Sequence, residues 1–144
     1  MRRLALLALV GLSSACHSIP KADAQADAQA KTFETRADWC GVYIFRSESY
    51  YPSSALELEL DGDELGPTAP GTFRLQWLGS GQHELVSRSE NEADLVIDAK
   101  PGTLIYVWQE VKMGSWTPSS IFHIVDEAKG QAGVRSCLLL APDS

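Results

Sequence analysis

The side chains able to do chemistry are few and scattered. Serines at 53, 54, 80, 115, 119 and 120 stand with His83 and His123 as the nucleophile and base options, but no G-x-S-x-G elbow frames any of them. Gly79-Ser80-Gly81 reads as a turn between strands, and His123 sits inside the apolar run Ile121-Phe122-His123-Ile124-Val125, where a hydrogen-bonded structural histidine is the ordinary outcome. Cys40, Cys137, His83 and His123 are the right ligand types for tetrahedral zinc, yet each is isolated, whereas zinc ligands come in pairs two to four residues apart. The acids Glu57, Glu59, Asp61, Asp63 and Glu64 lack the D-x-D-x-D-G calcium loop and read as a solvated strand face that discourages edge-to-edge association. The expectation is therefore no catalytic residue, no metal and no cofactor, with a minor hydrolase or metal site on His83 or His123 as the distant alternative.

The strongest chemical signal lies at the amino terminus. MRRLALLALVGLSSAC places two arginines before an apolar run and small residues before Cys16, the pattern of a secretory signal peptide over residues 1–15. The apolar run is far shorter than the roughly 18–20 residues that span a bilayer. Cys16 stands where bacterial lipoproteins carry the cysteine that receives diacylglycerol, although Ser13 occupies the position usually held by leucine. Ser13 and Ala15 also fit an ordinary small-x-small cleavage site, so a soluble periplasmic product is the alternative. With lipid on Cys16, Cys40 and Cys137 remain as an even pair, and an exported chain seldom leaves thiols unpaired. A Cys40–Cys137 disulfide follows as an expectation, worth up to about 4.7 kcal/mol for a loop near 100 residues.

Residues 16–37 contain the unit Ala-Asp-Ala-Gln twice and almost no large apolar side chain. Such a segment offers only methyl-sized faces to bury, which predicts a flexible linker reaching about 70 Å when extended. The chain as a whole has 12 Lys+Arg against 19 Asp+Glu, a net charge of −7. That excess of negative charge argues against a nucleic-acid partner.

The elements that must position everything else are strands. Over residues 38–144 the dominant period is two: leucines alternate with acids in Leu56-Glu57-Leu58-Glu59-Leu60, and Asp61-Gly62-Asp63 follows as a hairpin turn. Phe73-Arg74-Leu75-Gln76-Trp77 repeats the alternation, whereas Thr103-Leu104-Ile105-Tyr106-Val107-Trp108 is apolar on both sides and suits a central strand covered on both faces. Further strands are expected at 41–46, 83–88, 93–98 and 120–125, and 134–140 reads as strand in preference to helix, with Gly130 and Gly133 punctuating its approach. The predicted fold is all-β, a two-sheet antiparallel β-sandwich of about seven to eight strands.

Large rings outside the alternation mark possible contact points. Tyr50-Tyr51-Pro52 follows the first strand and Trp116-Thr117-Pro118 follows the central one. Rings at loop tips anchor a protein partner, a glycan or a membrane interface, or pack over the open end of the sandwich. If both loops leave the same end, Tyr50, Tyr51 and Trp116 form one patch, a matter that strand connectivity decides.

The ordered set Val42-Tyr43-Ile44-Phe45-Arg46, Leu60-Asp61-Gly62, Gly81-Gln82-His83 and Lys100-Pro101-Gly102-Thr103 leading into Tyr106 resembles a family of small bacterial envelope lipoproteins with a domain of unknown function. The resemblance runs from Gly41 to about Leu139 and departs at Ser80-Gly81, where the family has Pro-Gly. It implies a β-sandwich similar to Pro/Glu/Gly/Ala-type surface-layer domains, and no catalytic residue. His17, not aspartate, follows Cys16, and by the common lipoprotein sorting rule this implies the outer membrane, facing the periplasm. Acylated Cys16 would then hold a binding or structural module to the bilayer; an inhibitor or accessory of another envelope protein is the second reading.

Overall fold

In the computed structural model, residues 18–48, 55–89, 91–113 and 115–142 are described. Strand β1 (Cys40–Arg46) is buried along its whole length because it is covered on both faces. Its even-numbered residues Cys40, Val42 and Ile44 meet Leu58, Leu85 and Ile97 of the opposing sheet, while Tyr43 and Phe45 point the other way, into a second apolar cluster with Val134 and Cys137. The period-two pattern of a strand thus feeds two cores from one segment.

The chain continues through β2 (Leu56–Leu60), β3 (Asp63–Thr68), β4 (Thr72–Leu78), β5 (Gly81–Arg88), β6 (Ala93–Ala99), β7 (Leu104–Met113), β8 (Pro118–Val125) and the two-residue β9 (Leu138–Leu139). Helix α1 (Ala24–Ala30) precedes these strands, and α2 (Glu127–Arg135) lies between β8 and β9. One sheet has the order β8-β7-β1-β4-β9 and the other β3-β2-β5-β6. The leucines of β2 face the inner core as their alternation requires, and Asp61 and Gly62 take positive φ of 53° and 84°, the pair of left-handed residues that a two-residue hairpin demands.

Four expectations need correction. The first concerns strand direction, because β1 pairs with β7, and β4 with β9, in parallel. The chain passes through the other sheet between β1 and β7, and it reaches β9 through α2, so neither pair is joined by a hairpin. The strands also number nine among the described residues, where seven to eight were expected.

The second correction is α2 itself, helical where a strand was expected to begin. Asp126 caps it by accepting from Lys129 N at 2.8 Å, and Arg135 lies in its last turn. Gly130 and Gly133 are interior to the helix, and they let it lie directly on Tyr106 and Phe45.

The third correction is the linker. Residues 18–37 lie against the domain: Asp23 caps α1 through Ala26 N at 2.7 Å, Ala22 N donates to Leu139 O at 2.9 Å, and Tyr43 Oη donates to Ala30 O at 2.7 Å. Asp27 accepts from Leu139 N at 2.8 Å and from Lys31 Nζ at 2.7 Å. Burial works against the Asp27 charge, but these donors outweigh it and hold the carboxyl below its ordinary value. Backbone and carboxylate bonds supply part of the attachment, and Phe33, its ring 5.4 Å from Tyr43 and 6.1 Å from Tyr106, adds an apolar contact with the outer core.

The fourth is the disulfide. Cys40 and Cys137 are both buried free thiols. Cys137 Sγ donates to Arg46 O at 3.2 Å, at the far end of β1 from Cys40 and in the other core. Six residue steps of strand amount to about 20 Å, against a Cα separation of about 7 Å at most for a bridge.

Candidate functional site

Parallel pairing decides where the aromatic loops go. In the register Phe45 lies beside Trp108, and β7 runs on to Met113, so the chain leaves β1 after Arg46 and β7 after Met113 at the same end of two neighbouring strands. Tyr50 and Tyr51 lie outside the described residues. Trp116 is 87% exposed and Met113, at the end of β7, is 53% exposed. The hairpin joining β7 to β8 therefore carries a large ring and a thioether to its tip, with Lys112 exposed beside them.

Beneath this end the sandwich floor is polar, a feature that the sequence reading missed. Arg46 is completely buried; its Nε donates to Glu48 Oε1 at 2.7 Å and its Nη1 to Thr68 O at 3.1 Å. Thr68 Oγ1 donates to Gln109 Oε1 at 2.8 Å, and Gln109 Nε2 donates to Ser87 Oγ at 3.1 Å. Thr68, Ser87 and Gln109 are each 1% exposed or less. This chain ties β1 and β7 of one sheet to β3 and β5 of the other, satisfying groups that would be costly to bury alone. The available signal was parity: Arg46 is in phase with Cys40, Val42 and Ile44.

The two histidines lie in different places. His83 Nδ1 is 2.6 Å from Asp61 Oδ2, and its Nε2 is 2.8 Å from Gly79 O. Both ring nitrogens face acceptors, so the geometry suits the doubly protonated ring. The Asp61 carboxylate, then the Gly79 carbonyl, raise the His83 pKa above its ordinary value, and His83 in turn lowers that of Asp61. His123 is on the opposite face of the other sheet, with Nε2 2.8 Å from Glu110 Oε2 and its ring stacked 5.1 Å from Trp108. Lys129 Nζ lies 4.5 Å from the Trp108 ring centroid. Among the described residues no three His, Cys, Asp or Glu side chains converge as a metal site; the histidines bond to Asp61, Gly79 O and Glu110.

A raised histidine pKa stabilises the fold below the ordinary value near 6.5, and that contribution disappears as pH rises through the raised value. The lowered Asp61 pKa adds stability above about 3.9 that disappears as pH falls through the lowered value. The pair contributes most at mildly acidic pH. His83→Asn is expected to lower the denaturant midpoint at pH 5.5 and to leave it nearly unchanged at pH 9. Asp61 is half exposed, which limits the difference to about 1 kcal/mol or less. Urea titrations of both proteins at the two pH values check it; an equal penalty at both would show that the charge on His83 is irrelevant.

No family model matches the chain, and no solved structure matches it. The chain is similar to an uncharacterised protein of Haemophilus influenzae, 25% identical over 134 residues that cover 92% of this chain and 80% of that protein.

Proposed function

We propose that this chain is a lipid-anchored protein of the bacterial cell envelope, held at the outer membrane through acylated Cys16 and facing the periplasm, with its β-sandwich serving as a binding or structural module. The observation carrying this reading is the amino-terminal series of two arginines, short apolar run, small residues and Cys16. The order of strand motifs like that of small envelope lipoproteins supports it.

The fold alters how such an anchor would work. Pro20 O accepts from Ala141 N at 3.0 Å, so only four residue steps separate Cys16 from the folded body, a reach of about 14 Å. The module would rest close to the bilayer, not at the end of a long tether. Residues 22 to 20 run antiparallel to β9 and head towards the Leu78 end of β4. Trp116 and Met113 are at the other end, pointing away from an anchoring membrane and towards a protein or glycan across the periplasmic side.

Intact mass of the protein taken from membranes tests the anchor. The expected species begins at Cys16 and carries two or three acyl chains; an unmodified terminus in the aqueous fraction would overturn it. The binding end is tested by amine crosslinking in cells through Lys112. Trp116→Ala is expected to reduce a discrete adduct several-fold, whereas an unchanged adduct pattern would remove Trp116 from the contact.

A further inference from the structure

A cavity of about 540 Å³ lies between the amino-terminal segment and the outer face of the five-stranded sheet. Tyr43, Leu75 and Trp77 line the sheet side, Ala22, Ala26 and Ala30 line the opposite side, and Leu139 to Pro142 close one edge. The hollow has a simple cause. Alanines at a spacing of four present only methyl groups to the sheet, and the hydrogen bonds of Asp27, Ala22 and Ala30 fix the segment at a distance that methyl groups do not fill. Arg36 covers the Trp77 ring, its guanidinium carbon 4.0 Å from the centroid; Gln29, Glu34, Arg74 and Gln76 also line the space, so its lining is mixed, with the alanine, leucine and aromatic surfaces making up the larger part.

We propose that this cavity receives one acyl chain of the lipid carried on Cys16; the inference rests on the lipoprotein reading above. Size is the first argument. At ~30 Å³ for each methylene, about the share of a water molecule, the space holds roughly eighteen such units, the length of one ordinary fatty acyl chain. Reach is the second. Six residue steps separate Cys16 from Ala22 on the cavity wall, at most about 20 Å, and the chain leaves Pro20 towards the Trp77 end of the cavity. Chemistry is the third, since alanine, leucine and aromatic surfaces gain by losing contact with water and offer an aliphatic chain what lipid tails offer. An acyl chain seated here would hold the amino-terminal segment down and keep the Leu78 end of the sheet close to the bilayer.

The test uses the full-length exported protein with p-benzoylphenylalanine in place of Leu75, irradiated in intact cells, purified and digested for mass spectrometry. Leu75 is in the cavity, and Val96, exposed on the other sheet, is the comparison site. The expected result is a link between position 75 and the acyl group of the Cys16 peptide, at least tenfold more abundant than from position 96. Acylated Cys16 with no such enrichment would overturn the cavity assignment while leaving the anchor intact, and so would a link from position 75 to a free phospholipid. Unmodified Cys16 would overturn both readings. Thr35, on the exposed segment before β1, is a second probe position that leaves the sheet undisturbed and is expected to give the same link.

Discussion

Gly130→Ala and Gly133→Ala are each expected to destabilise the fold, although alanine is the better helix former by about 1 kcal/mol. A Cβ at Gly130 would lie 2.2 Å from Tyr106 Cγ, and one at Gly133 would lie 2.2 Å from Phe45 Cε2. These neighbours are themselves buried, Tyr106 at 3% and Phe45 at 2% exposure, so neither ring has room to withdraw. Overpacking of this kind costs about 1–3 kcal/mol or more; less the propensity gain, a net loss of up to about 2 kcal/mol corresponds to a fall in Tm of up to about 8 °C. Ala132→Gly, on the exposed side of α2, reverses the logic: it removes no contact with the sheet and is expected to cost about 1 kcal/mol from propensity alone. Thermal unfolding of the three variants checks the argument. A rise in Tm for Gly130→Ala would mean that α2 does not lie on Tyr106.

These glycines also show where a reading of the sequence stops. Leu56 to Leu60 and Asp61-Gly62 were legible because alternation and turn chemistry are local properties. The helices were not. Gly130 and Gly133 look like chain punctuation, and only the packing partner across space turns them into the means of close approach. The alanine segment fails for a related reason: apart from Phe33, which packs on Tyr43 and Tyr106, its attachment comes from Tyr43, Asp27 and the backbone of Leu139, which a run of alanines does not signal. Cysteine parity predicted a bridge because counting carries no geometry, whereas Cys40 opens β1 and faces one core, and Cys137, after α2, bonds to Arg46 O at the other end of β1 and faces the other core. Trp116 was marked by falling outside the alternation, and the parallel pairing of β1 with β7 supplies what the sequence left open, namely that β1 and β7 end at the same end of the sandwich.

Arg46→Ala is expected to be the most damaging single truncation in the sandwich interior. The guanidinium has no exposure and holds Glu48 and the Thr68 carbonyl, so its loss strands an acid whose side chain is only 12% exposed and opens space beside the Thr68, Gln109 and Ser87 chain. Breaking a buried pair by removing one partner costs about 3–5 kcal/mol, enough to unfold a domain whose whole stability is of order 5–15 kcal/mol. The charge can be separated from the volume. Arg46→Met keeps most of the packing but still strands Glu48, so it is expected to fall between wild type and Arg46→Ala. Adding Glu48→Gln is expected to recover much of the loss, because replacing a buried ion pair by groups of similar volume is often close to neutral. Denaturant midpoints for the single and double variants decide the matter. If Arg46→Met with Glu48→Gln is no more stable than Arg46→Met alone, the Glu48 charge is not what makes the arginine necessary, and the requirement must reside in its bond to Thr68 O and in the polar chain that crosses between the sheets.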